Sequence, residues 1–186
     1  MTPSFSENFH VILVNVPLEH NWYVRRLTGN RVIFTFHEIA DILRLHHIPL
    51  KNIVLRVLYA VTLVYRRYEN RVPAATETTN YTHDETRGCL FDMNASKWDV
   101  IYSCHQPRIC DACVTDLRRA QISNEQIGAV QGDIRHIKKP LFNKLTEFVR
   151  QHPILSFLIS VVIALGVGTT GSLLGTILYQ MMFKAT

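Results

Sequence analysis

Between His83 and Cys113 the sequence HDETRGCLFDMNASKWDVIYSCHQPRICDAC holds all four cysteines of the chain and two of its nine histidines. Cys110 and Cys113 form a CxxC knuckle, and a helical pattern through Val114 and Leu117 follows it. CxxC supplies two thiolates in one tight turn, and zinc wants four N or S ligands at near-tetrahedral angles. The expected chemistry is therefore a structural zinc site. Its other two ligands are open: Cys89 and Cys104 do not make a second CxxC, and His83 and His105 compete with them. The alternative is that Cys89 and Cys104 are buried small hydrophobes, as cysteine often is. Disulfides are not expected, because the domain is read below as cytoplasmic and reducing.

A second segment invites a catalytic reading. His37 to His47 runs HEIADILRLHH. A metzincin motif wants His, Glu, His, Gly and His at relative positions one, two, five, eight and eleven, and here those places hold His37, Glu38, Asp41, Arg44 and His47. The second histidine and the turning glycine are both replaced. No catalytic residue is assigned. Nothing in the chain has the form of a phosphate-binding loop, a dinucleotide fingerprint or a serine triad.

The run GCLFDMN (Gly88 to Asn94), followed by CDAC (Cys110 to Cys113) and a leucine at 117, resembles the cysteine-rich tail of archaemetzincin-type zinc peptidases. The resemblance implies a structural zinc site to which Cys89, Cys110 and Cys113 contribute. It leaves the family's remaining cysteine without a counterpart, with His83 close to where it would fall. The HExxH that should precede this tail is absent, since Thr82-His83-Asp84-Glu85 stands there. The kinship implies an inactive relative kept as a binding or scaffolding domain. Coupled to a membrane helix, such a domain also resembles effectors of bacterial anti-phage systems.

The elements that must position these residues are legible from hydrophobic pattern. Phe9 to Val16 (FHVILVNV) reads as a buried strand and Arg31 to Phe36 (RVIFTF) as a second, after a Gly-Asn turn signal. Leu50 to Tyr68, with Pro49 at its start, has apolar residues at helical spacing and predicts the central core helix. Pro73 to Thr82 is a polar loop of the kind that covers a site or stays mobile. Ser123 and Gln126 make a capping box for a following helix, and Pro140 starts another that is basic and amphipathic. That helix is expected either at the headgroup level or packed on the domain.

The last stretch sets the class. Ile154 to Phe183 contains no Asp, Glu, Lys, Arg or His. A helix of that length runs about 45 Å against a hydrocarbon core of about 30 Å, which predicts one transmembrane pass and excludes a two-pass hairpin. Ser160, Ala164, Gly168, Ser172 and Thr176 recur at intervals of four, with Gly171 and Gly175 forming an adjacent GxxxG. Helices in lipid associate where small residues let backbones approach, so a homo-oligomer is expected, with a pore as a further possibility of the same stripe. The alternative is that the hydroxyls bond their own backbone.

A formal charge of +5 and a pI near 9.2 suit nucleic acid or an anionic membrane surface. The membrane has the better claim, because Lys138, Lys139, Lys144 and Arg150 cluster just before the span, and nucleic acid is not supported. The positive-inside rule then predicts a cytoplasmic N-terminal domain in tail-anchor topology, with no signal peptide expected. The expected architecture is α+β: a cytoplasmic domain over 1–122, a helical connector over 123–152, a transmembrane helix over 153–183 and a short external tail, 184–186. The expected function is a membrane-anchored, non-enzymatic effector or sensor whose assembled helices permeabilise the membrane. A tail-anchored adaptor, or a membrane-bound metallopeptidase, is the alternative.

Overall fold

The computed structural model describes residues 9–183, so the expected external tail lies outside the described residues. The chain is α+β, with one three-stranded sheet and seven α-helices among those residues. It divides into two compact units, residues 1–139 and residues 140–186.

In the first unit, β1 (His10–Val14), β2 (Val24–Leu27) and β3 (Arg31–Thr35) form a sheet in the order β1-β3-β2. β1 runs parallel to β3, and β2 pairs with β3 antiparallel. The β2–β3 turn needs left-handed backbone at two successive residues, and Gly29 (φ 70°) and Asn30 (φ 56°) provide it. β2 was not anticipated: it is four residues long, and its Val-Arg-Arg-Leu sequence carries no apolar alternation. The expectation of a buried first strand is corrected. β1 is an edge strand, and Ile12 and Leu13 are 40% and 50% exposed. A run of β-branched residues fits a pleated edge as readily as a central strand when one neighbour suffices.

Helix α1 (Ile39–Leu45) leads through a short turn to α2 (Leu50–Arg67), which Pro49 caps as its fixed φ allows. α2 is the central helix. Ile53, Val57, Val61 and Tyr65 pack with Val32 and Phe34 of the sheet, while Leu63 and Val64 face a second apolar cluster. Beyond α2, the short α3 (Val100–Ser103) precedes α4 (Asp111–Arg119) and α5 (Asn124–Ile134). Ser123 caps α5 by accepting from the Gln126 N–H at 3.2 Å, as its capping box requires. Ile127, Ile134 and Ile137 are buried with Leu117 in the second cluster. The first compact unit extends to Lys139.

The HE segment is spent on structure. Glu38 sits at the N-cap of α1 with φ 64°, so His37 and Glu38 precede the helix instead of riding on it. Glu38 accepts from Lys97 Nζ at 3.0 Å and from Asn21 Nδ2 at 3.3 Å, and Asp41 pairs with Arg44. The five metzincin positions do not converge: among the described residues, one group of three or more metal-capable side chains comes together, and it lies elsewhere.

The second unit contains α6 (Leu141–Gln151) and α7 (Pro153–Phe183). α6 has no buried residue, and Leu141, Phe142, Leu145, Phe148 and Val149 present an exposed apolar face. Lys144 and Arg150 belong to the same helix, and Lys138 and Lys139 close the first unit. α7 is long and apolar enough over Pro153–Leu178 to cross a membrane, with mean hydropathy 2.1 and none of it buried.

Candidate metal centre

His83, Cys89, Cys110 and Cys113 bring one ligand atom each to within 4.8 Å of every other. Cys89 Sγ lies 3.9 Å from Cys113 Sγ, and Cys110 Sγ lies 3.5 Å from His83 Nε2. Three separate chain segments meet here, and backbone hydrogen bonds join them. The Leu90 N–H donates to the Arg108 carbonyl and the Arg108 N–H to the Gly88 carbonyl, both at 2.9 Å, which fixes Cys89 beside the segment leading to Cys110. The His83 N–H donates to the Phe91 carbonyl and the Met93 N–H to the His83 carbonyl, which fixes His83 beside the same turn.

Local sequence explains each position. Gly88 has φ 71°, and a Cβ there would stand 3.1 Å from the Tyr102 carbonyl oxygen, so the turn that presents Cys89 requires glycine. The Asp92 carboxylate closes that turn by accepting from the N–H groups of Cys89 (2.9 Å) and Arg87 (3.1 Å). Cys110 is the N-cap of α4 and Cys113 lies in its first turn, where the positive end of the helix favours thiolate.

The electrostatics prepare the cluster for a cation. The N–H groups of Phe91 and Cys110 donate to Cys89 Sγ at 3.5 and 3.4 Å. The Cys89 thiol is pushed down to about 5, chiefly by the hydrogen bond it shares with Cys113; burial opposes this, and the two backbone N–H groups and His83 assist. Cys113, the other sulfur of that pair and itself desolvated, is pushed up. Arg87 Nη1 lies 3.9 Å from Cys110 Sγ and supplies a positive charge.

His83 is oriented for ligation. Its Nδ1 lies 2.9 Å from the Glu85 carbonyl oxygen, which can only accept, so Nδ1 carries the proton and the Nε2 lone pair faces Cys110. Asp92 Oδ1, buried and without a hydrogen-bond partner among the described residues, lies 3.4 Å from the same Nδ1. A carboxylate behind a ligating imidazole raises its basicity.

The residues that converge are His83 and Cys89 with the CxxC pair, and not Cys104 or His105. Cys104 belongs to the cluster of the sheet and α2, where burial pushes its thiol up to about 12 and keeps it protonated. His105 is engaged elsewhere, its Nδ1 accepting from the Lys139 N–H at 3.2 Å. Asp92 and Arg87, which complete the site, were not singled out from sequence; their signal was an acid and a base flanking the Gly-Cys turn within three residues of Cys89.

The residues expected to pack helix on helix lie along α7. Gly168, Gly171 and Gly175 have no heavy atom within 4 Å of where a Cβ would stand, so both small-residue rows are open. Ser160 donates to the Phe157 carbonyl at 2.7 Å and Thr176 to the Ser172 carbonyl at 3.0 Å, so these hydroxyls are satisfied within the helix. Ala164 and Ser172 continue the same exposed row. No protein-family model, curated protein or solved structure matches the chain.

Proposed function

We propose that the chain is a membrane-anchored, non-enzymatic effector or sensor, a zinc-organised cytoplasmic domain whose α7 helices associate and permeabilise the membrane. The observation that carries this reading is α7 itself, a 31-residue helix with an apolar surface all round and two adjacent rows of small residues left open. In lipid such rows are where backbones approach one another. The exposed apolar face of α6, with Lys144 and Arg150 beside it, suits the headgroup level of an anionic leaflet.

Zinc is the metal that suits the donor set. Tetrahedral zinc with Zn–S near 2.3 Å and Zn–N near 2.0–2.1 Å sets S···S edges at about 3.8 Å and S···N edges at about 3.5 Å. Two edges of the cluster, 3.9 Å and 3.5 Å, match those values, and all lie within 4.8 Å. Three thiolates and one imidazole leave no open position, so the role is structural and supplies no catalytic water. The likeness of this segment to the tail of archaemetzincin-type peptidases supports the same reading, as does the tethering of Glu38 to Lys97 in place of a catalytic HExxH. Asp92→Asn should weaken zinc binding about 10- to 100-fold, as loss of such a supporting carboxylate does at other sites. Competition against a chelating dye measures it.

The functional test is ion flux. Purified protein in anionic vesicles should release an entrapped ion-sensitive dye, and release should rise steeply with protein-to-lipid ratio because the pore is an assembly. Anchoring without release at any ratio would leave a tail-anchored adaptor that recruits a partner. Apart from this, a kinship with anti-phage effectors would require that the protein slow growth only when its trigger is present.

A further inference from the structure

A cavity of about 400 Å³ opens between α2, the β2–β3 hairpin, the polar 73–82 loop and the Leu90–Met93 segment of the metal centre. Its volume falls in the range of small-molecule sites. The walls are apolar and partly aromatic: Val57, Val61 and Val64 from α2, and Tyr81 and Phe91, whose rings stand edge to face at 6.3 Å. The loop is held in place as a wall. Glu77 takes Arg71 Nη1 and the Ala74 N–H at 2.7 Å each, and Arg26 donates to the Pro73 carbonyl at 3.0 Å while lying over the Tyr81 ring.

Arg56 also lines this cavity, and it is only 3% exposed. Its Nη1 donates to the Tyr23 hydroxyl at 2.9 Å and its Nη2 to the Asp92 carbonyl oxygen at 3.0 Å, both neutral acceptors. Its Nε has no partner, and among the described residues no carboxylate lies within 4.0 Å of the guanidinium. The nearest acid, Asp92, turns its carboxylate to the N–H groups of Arg87 and Cys89 and to His83. The other cations of the wall are satisfied at the surface, Arg25 by Glu19 at 2.7 Å and Arg26 as described. A buried guanidinium without an anion is a costly arrangement that a bound anion relieves.

We propose that this cavity binds a small aromatic carboxylate, its ring between Tyr81, Phe91 and the α2 valines and its carboxylate on Arg56. A buried guanidinium with an unpartnered Nε and no carboxylate in contact suits one negative charge, and the edge-to-face walls favour a flat ring. The site deepens the sensor reading above and rests on it for biological meaning, because it gives the domain a ligand to receive. Its location on the Leu90–Met93 segment ties it to the metal centre.

The test uses the full zinc-loaded chain in nanodiscs of zwitterionic phosphatidylcholine, with 6-fluoro-2-naphthoate as the probe and fluorine NMR line broadening as the readout. Saturable broadening above that of empty discs is expected, with at least tenfold weaker binding of the neutral 6-fluoro-2-naphthamide. Arg56→Gln should weaken the naphthoate at least tenfold and leave the amide unchanged. Should that variant fail to fold, Ala60→Trp keeps Arg56 and fills the cavity from α2, and it should abolish binding of both probes. Equal binding of acid and amide, binding that survives Ala60→Trp, or no saturable binding would overturn the proposal. None of these readouts involves helix assembly, so they fail or succeed independently of dye release.

Discussion

Cys110→Ser should remove zinc from the protein and collapse the stability of residues 9–139 in the same step. Cys110 caps α4, faces His83 across 3.5 Å and lies beside Arg87, so its sulfur joins the helix to the two segments that carry His83 and Cys89. A serine hydroxyl does not ionise in this range and leaves three ligands around a cation that requires four. Structural zinc contributes about 10–16 kcal/mol of apparent binding energy in small zinc domains, all of it linked to folding. That is as large as the whole stability of an ordinary domain, about 5–15 kcal/mol. The expected result is about one zinc per chain in the wild type, little in Cys110→Ser, and a thermal transition lost or lowered by tens of degrees. A chelator should reproduce the effect in the wild type. Cys104→Ala should keep its zinc, because that thiol lies in the other cluster and contributes packing alone. Equal stability of Cys110→Ser and a metal-free wild type would leave all four cysteines as packing residues.

Gly168→Leu and Gly171→Leu should stay in the membrane fraction while losing oligomer and dye release. Leucine inserts as readily as glycine, so anchoring survives. Its side chain, however, holds neighbouring backbones apart along the rows where nothing now stands within 4 Å. A side chain of that size removes contacts that no hydrophobic term replaces in lipid, and a loss of at least tenfold in association is expected. Val162, 68% exposed and off both rows, is the control, and Val162→Leu should change neither anchoring nor assembly. Cross-linking in native membranes reads the outcome. An unchanged ladder for both glycine variants would assign assembly to the soluble domain.

How far the sequence revealed this architecture depended on whether the signal was local. α2 was legible because its apolar residues repeat at helical spacing over five turns, and α7 because an uncharged apolar run of that length reads as a membrane span. The CxxC pair was legible because two ligands share one turn. Residue spacing alone left the other two positions open among Cys89, Cys104, His83 and His105; the resemblance pointed to Cys89 and His83, and the parallel bridge between His83 and Asp92 brings His83 to the cluster. β2 escaped notice because a pair of arginines interrupts it, each of which finds a surface partner in the fold. Arg56 was the least legible. A single charge inside a helix reads as a solvent-facing residue, and its burial follows from the loop and the metal segment closing over that face of α2.

The central claim is that one metal ion, held by His83, Cys89, Cys110 and Cys113, organises the domain. X-ray absorption at the zinc edge on the purified full-length chain tests it directly. The account predicts one zinc with three sulfurs at about 2.3 Å and one nitrogen at about 2.0–2.1 Å. It also predicts that the sulfur count falls to two in Cys89→Ser protein that retains any metal. A shell of oxygen and nitrogen only, or no zinc above background in folded protein, would contradict it.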